Sequence, residues 1–144
     1  MKPLPLYRKT FSVPDTAIDF NGHVNNLRYI EWMLEAAQAH SEAAGWPMER
    51  CISEYGATWV ARSHTIRYHH PAFAGEELEL RSWIEKIRGV KALRRYEIRR
   101  IDDGAKICEG QSEWIWVDAE TLRPRRIPGE IAERFEKEDD AMGR

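Results

Sequence analysis

Asp19, Asn21, His23, Asn25 and Asn26 stand together in the stretch Asp-Phe-Asn-Gly-His-Val-Asn-Asn. An acid, an imidazole and three amides so closely spaced suit acyl transfer. Asp19 can act as a general base on water or as a nucleophile in its own right. His23 can orient that acid or donate a hydrogen bond. A helical pattern begins at residue 27, and a helix start carries unpaired N–H groups and partial positive charge. Such N–H groups stabilise the oxyanion that forms when a carbonyl is attacked. One asparagine has a plainer duty as the N-cap. Asx turns and loop hydrogen bonds are the plain alternative for Asp19, Asn21 and His23. The magnitudes select the bond to be cleaved. An oxyanion donor contributes about 10²–10³ in rate and a general base about 10²–10⁴, enough for an activated thioester and too little for an unactivated amide.

The elements that must position these groups are legible in the pattern. Over residues 27–44, Arg28, Glu31, Glu35, Gln38 and Glu42 recur every three or four positions and form one polar stripe. The remainder is mainly Leu, Tyr, Ile, Trp, Met and Ala, so the helix expects cover over most of its circumference. Gly45 and Pro47 end it. Residues 4–13 read as an opening strand closed by Pro14-Asp15, and 57–68, 78–87, 91–101 and 106–118 as four more. Between the last four lie turn signals, including Asp102-Asp103-Gly104. In the last strand Cys108, Gly110, Ser112, Trp114 and Trp116 share one face, small enough at its start for a helix to approach. Glu109, Gln111 and Glu113 share the solvent face. A short polar helix is expected over 130–137, before the acidic run that ends at Asp140. The whole reads as one α+β domain over 1–144, with its core at about 4–130. A sheet of this kind leaves edges and an open face, so a homodimer or a dimer of dimers is expected.

The chain has 144 residues, 42% apolar and 32% charged, with a net charge of −2. That balance argues against bulk nucleic-acid binding. No apolar run approaches the roughly 20 residues that span a bilayer, and the first residues lack an apolar signal region. Cys51 and Cys108 have no metal-ligand spacing and read as reduced, partly buried thiols of a cytoplasmic protein. The five histidines show no zinc-like pattern, so no metal is expected. No GxGxxG, P-loop or GxSxG motif occurs.

The order of strand, Asp19-Phe20-Asn21-Gly22-His23-Val24-Asn25-Asn26 with Tyr29, Trp32 and Glu35, strand, and closing strand resembles the hotdog-fold acyl thioesterases. The likeness is to the 4-hydroxybenzoyl-CoA and acyl-CoA thioesterase group and to the plant-type acyl-ACP thioesterases, over residues 4–130. It implies an antiparallel sheet wrapped around a central helix, active sites at a dimer interface, and no cofactor. It implies further that Asp19 is the catalytic carboxylate and that the Asn26 amide polarises the thioester carbonyl. Asp19, Asn21 and His23 match the acid, amide and imidazole of the acyl-ACP enzymes. A glutamate that those enzymes carry in the following strand is replaced here by Tyr68-His69-His70-Pro71-Ala72, which is closer to the acyl-CoA group.

Seven basic residues and one acid lie between Lys86 and Arg100. Arg88 and Lys91, at a turn, can meet the phosphates of coenzyme A or an acidic carrier protein, and Arg125 and Arg126 are a second option; ordinary solvated charge is the plain alternative. His69 and His70 point to opposite faces of a strand, so at most one reaches a substrate, and residue type does not choose between them. His40 and His64 read as structural or surface residues. Trp32, Trp59, Trp114, Trp116, Tyr29 and Phe73 line either an acyl tunnel or the core. The expected function is hydrolysis of an acyl-CoA or acyl-ACP thioester. Its rivals are an enoyl-thioester hydratase of the same fold and a non-catalytic acyl-CoA-binding protein. The hydratases pair their acid with a histidine five residues on and usually a proline between, whereas Asp19 and His23 are four apart around Gly22.

Overall fold

A computed structural model describes residues 2–136. Strand β1 (Leu6–Ser12) leads through a short 3-10 turn (Asp15–Ala17) and a loop into helix α1 (Asn26–Ala43). Helix α2 (Met48–Tyr55) follows, then strands β2 (Ala57–Tyr68), β3 (Glu77–Arg88), β4 (Lys91–Arg100) and β5 (Lys106–Asp118), and a one-turn helix α3 (Gly129–Ala132). The five strands form one antiparallel sheet in the order β1-β3-β4-β5-β2. The α+β architecture is as the sequence predicts.

Local chemistry sets the connections. Arg88 pairs with Lys91, so β3 and β4 are joined by Gly89-Val90 alone, and Gly89 takes the positive φ of 63° that so tight a hairpin needs. Three expectations need correction. The opening strand is shorter than 4–13. Gly45 and Pro47 end α1, yet the chain turns helical again at once over Met48–Tyr55, where the sequence analysis places no element, with Trp46 buried beneath the Arg50 guanidinium 3.8 Å from its ring. The closing helix ends at Ala132 rather than 137 because the chain turns there, and most of the acidic run, 137–140, lies outside the described residues.

The inner faces of β3, β4 and β5 carry Leu78, Leu80, Ser82, Ala92, Arg94, Tyr96, Ile98, Cys108, Gly110 and Ser112. Helix α1 lays Tyr29, Trp32, Met33, Ala36, Ala37 and His40 against this side. Closest approach is at Gly110. A Cβ there would stand 3.1 Å from the Thr65 carbonyl oxygen, 3.2 Å from Met33 Sδ and 3.3 Å from Ile66 Cγ1. Cover of α1 is less complete than its composition implies: Leu27 is 65% exposed, and Ile30 and Leu34 are only half-buried. One flank of the helix therefore lies open within this chain. Both cysteines are fully buried and free, and burial pushes the Cys108 thiol up to about 12, so it stays protonated. Phe73 is exposed and belongs to no core.

A polar network crosses this interior. Arg94 Nη1 donates to His40 Nδ1 at 2.8 Å and to Ser82 Oγ at 2.9 Å. His40 Nε2 lies 2.6 Å from the Leu4 carbonyl oxygen, an acceptor only, so the ring proton is on Nε2 and the imidazole is neutral. Ser82 Oγ donates onward to the Arg95 carbonyl at 3.0 Å. Burial first, and the neighbouring Arg94 charge second, lower the His40 pKa to about 4.

Two consequences are measurable. His40 titrates near 6.5 when unfolded and near 4 when folded, so the unfolded chain binds the extra proton in that interval. Stability is therefore full above pH 6.5 and falls as pH drops toward 4, by up to about 3 kcal/mol. Urea titrations of wild type and His40→Gln across this range are expected to show a steeper fall for wild type; parallel curves would refute the assignment. Gly110→Ala is expected to lower stability by about 1–3 kcal/mol, because one of the opposing atoms is backbone. The urea midpoint should drop with the slope unchanged.

Candidate active site

Backbone pairing folds the loop ahead of α1 back on itself. Ile18 and Val24 form an antiparallel bridge, Asn25 N–H donates to the Ala17 carbonyl at 2.9 Å, and Val24 N–H donates to Ala72 at 2.9 Å. Between them Asp19 N–H donates to the His23 carbonyl and Gly22 N–H to the Asp19 carbonyl, each at 3.0 Å. Gly22 takes φ 85°, which closes this turn and disfavours other residues. The acid thus sits in a turn docked against the helix start and against the segment after β2.

Asp19 is half-buried, and its Oδ1 accepts from Asn21 N–H at 2.8 Å, an Asx turn. Asn21 therefore contributes its backbone, while its residue is exposed. His23 Nδ1 stands 3.2 Å from the Val24 carbonyl; since the carbonyl only accepts, Nδ1 carries a proton. No hydrogen bond joins the His23 and Asp19 side chains among the described residues.

The first turn of α1 has three donors to account for. Asn25 is the N-cap: its Oδ1 accepts from Leu27 N–H at 2.9 Å, and its carbonyl accepts from Arg28 N–H at 2.9 Å. Asn26 N–H has no acceptor among the described residues.

Aromatic side chains border this region. The Tyr29 ring lies 5.7 Å from Trp32 and 5.8 Å from Tyr68, and Phe11 lies 4.8 Å from Trp32. Tyr68 Oη donates to the Asn26 carbonyl at 3.4 Å. Burial raises the Tyr29 and Tyr68 phenols, so both remain donors at neutral pH. Tyr68 is a neighbour of the site that residue spacing did not select; its signal is its place at the end of β2, the strand that leads into Pro71-Ala72.

The other candidates lie elsewhere. His69 Nε2 is 3.2 Å from Glu109 Oε2, and Glu109 alternates with the helix-facing Gly110, so His69 is held on the outer face of the sheet. His70 is exposed. Arg88, Lys91, Arg125 and Arg126 gather at the opposite end of the strands, where Ile127 N–H donates to the Gly89 carbonyl at 2.9 Å. The 12 residues of β3 at about 3.3 Å each separate that end from the Asp19 end by roughly 36 Å. Arg125 is occupied there, donating to the Tyr55 carbonyl at 2.7 Å, and Lys91 Nζ is 3.6 Å from Glu113. Arg88 and Arg126 are exposed. Within one chain the cluster does not meet the acid. Among the described residues no group of three His, Cys, Asp or Glu is placed to hold a metal ion, and no helix is long and apolar enough to cross a membrane.

One long helix laid against a five-stranded antiparallel sheet of order β1-β3-β4-β5-β2 is the hotdog fold, and with the family match below it makes this chain a thioesterase, a thioester hydrolase. The chain belongs to the acyl-ACP thioesterase N-terminal domain family, whose model matches residues 5–135. It is 23% identical over 123 residues to the long-chain acyl-CoA thioesterase FadM of Escherichia coli (strain K12), covering 83% of this chain and 89% of that protein. In structure it is similar to a 1,4-dihydroxy-2-naphthoyl-CoA thioesterase from Synechocystis, with TM-score 0.84, 15% identity, and 93% and 98% of the two chains covered. It is also similar to an acyl-ACP thioesterase from Bacteroides thetaiotaomicron VPI-5482, with TM-score 0.82 and 22% identity, covering 93% of this chain and 54% of that one.

Proposed function

We propose that this hydrolase cleaves acyl-CoA, with Asp19 and the Asn26 amide as its catalytic groups. The observation that carries the reading is the donor left open among the described residues in the first helical turn, Asn26 N–H, reached by a loop that presents a half-buried carboxylate seven residues earlier with one oxygen already oriented. The thioester carbonyl accepts from Asn26 N–H, which holds the charge that develops on oxygen. Water attacks the carbonyl carbon while Asp19 takes its proton; the C–S bond breaks, and the thiolate leaves and recovers the proton. If Asp19 attacks instead, the acyl-carboxylate anhydride it forms is opened by water to the same acid and thiol. CoA is favoured over a carrier protein by the likeness to FadM and by the absence of the additional glutamate from the stretch 68–72.

The separation of the basic cluster from Asp19 has a natural resolution in a dimer. The outer edge of β2 is long, and residues 61–65 along it are exposed, the kind of edge that proteins cover. A second copy pairing β2 with β2 antiparallel about a two-fold axis brings the partner's cluster to this Asp19. Arg88 and Arg126 then meet the phosphates of a CoA bound at the other subunit's acid.

Asp19→Asn is expected to lower kcat for thiol release by about 10²–10⁴ while the circular dichroism spectrum is unchanged. Activity within threefold of wild type would remove Asp19 from the mechanism. Arg88→Ala with Arg126→Ala is expected to raise KM more than it lowers kcat. Co-expressed with Asp19→Asn, that double variant should form hybrid dimers more active than either parent, since one site is then complete. Hybrids no better than the parents would exclude contribution across the interface.

A further inference from the structure

Among the described residues Arg94 is a buried cation with no counter-ion. It is 3% exposed and lies on the inner face of β4, between Ala92 and Tyr96. Both hydrogens of Nη1 are engaged, by His40 Nδ1 and Ser82 Oγ. Neither partner brings negative charge, because the imidazole is neutral and the serine is a hydroxyl. No carboxylate lies within ion-pair distance of Arg94 among the described residues, and Nε and Nη2 have no hydrogen-bond partner there. Those two nitrogens form the edge of a guanidinium that grips a carboxylate through two parallel N–H···O bonds.

Arg94 also lines a cavity of about 90 Å³, whose walls include Leu34, Ala37, Trp59, Ile84 and Trp114. A guanidinium enclosed by such walls is costly unless an anion completes it. On α1 the cavity spans Leu34 to Ser41, and the Arg94 guanidinium is bonded to His40, fourteen residues and so roughly 21 Å along the helix from Asn26. Between them lies the half-buried flank of the helix, where Ile30, Met33 and Leu34 border a void of about 10 Å³ with Ile66; the acyl group in this proposal runs along that flank. An extended acyl group on the order of sixteen carbons, with C–C bonds of about 1.5 Å in zigzag, covers that length.

We propose that Arg94 receives a carboxylate at the far end of the acyl group, so that the preferred substrates are ω-carboxyacyl thioesters, the monothioesters of long α,ω-dicarboxylic acids. This rests on the reading of Asp19 and Asn26 as the cleavage site, which fixes the direction of the chain. The methylenes lie against Leu34, Ala37 and the tryptophans. The distal carboxylate accepts from Nε and Nη2, while His40 and Ser82 hold the guanidinium through Nη1.

The test compares thiol release from hexadecanedioyl-CoA and hexadecanoyl-CoA by the purified protein. Wild type is expected to favour the dicarboxylic substrate at least tenfold in kcat/KM. Arg94→Met is expected to abolish that preference while leaving hexadecanoyl-CoA within threefold, and Arg94→Lys to restore part of it. Should Arg94→Met fail to fold, wild type alone decides, through calorimetric binding of free hexadecanedioate against hexadecanoate. Hydrolysis of both thioesters without preference, with both acids bound equally, overturns the role of Arg94 and leaves the thioesterase reading intact. Release of thiol from neither, with hexadecanedioate still bound at least tenfold more tightly, has the opposite meaning: the anion receptor stands and the cleavage site falls.

Discussion

The capping of α1 by Asn25 is the interaction on which the site depends. A helix start has more donors than acceptors, and an uncapped first turn offers several N–H groups to water with no selectivity. Here the Asn25 side chain and carbonyl absorb Leu27 and Arg28 and leave Asn26 alone. The same residue is anchored from behind, since its own N–H donates to Ala17. The cap, the bridge between Ile18 and Val24 and the turn that presents Asp19 are therefore one unit, and displacing any part misaligns the acid relative to the amide. The charge at the helix start is partial and fixed, so it stabilises an oxyanion without rearrangement.

That unit is held in place by a helix that packs closely on one side only. Gly110 lets Met33 approach the sheet, and Trp32, Ala36 and Ala37 follow in register. The opposite flank, through Leu27, Ile30 and Leu34, keeps apolar surface that this chain does not cover. In the proposed reading an uncovered apolar flank near the Asn26 amide suits an acyl group, because the substrate's own methylenes complete the core. In the proposed reading the helix gains its missing cover when the acyl group binds, and the tail length that best fills the flank is the one best cleaved.

How far all this was legible in the sequence follows from how local each signal is. The sheet strands and α1 announce themselves by period, and the turn acid and helix cap by residue type, since the contacts that make them span few residues. Helix α2 was hidden because Gly45 and Pro47 read as a stop, while its eight residues are held by Trp46 and by the i,i+4 pair of Arg50 and Glu54. The unequal cover of α1 depends on which strands lie beside which, a long-range matter. His69 shows the same limit: whether a strand histidine faces the helix or the outside turns on its register with Glu109. Arg94 is the instructive case. It was legible only as part of a basic run, yet alternation places it with Ala92, Tyr96 and Ile98, on the face that a strand buries. Charge counted along a sequence merged two populations that the pleat separates.

Those two populations also carry different physical consequences. The exposed cations of the run sit in water, where Arg95 and Arg99 pair with Glu85 and Glu97 and each pair contributes little. Arg94 is out of water, and its interactions are correspondingly strong. Its hold on a neutral His40 ties β4 to α1 and, through Leu4, to the segment before β1. Were Arg94 needed only to fasten these elements, Nη1 alone would do so, and a neutral donor of similar reach would serve without the desolvation penalty of a charge. A full guanidinium retained there, with its other edge unpaired beside a cavity, argues that the charge itself is used.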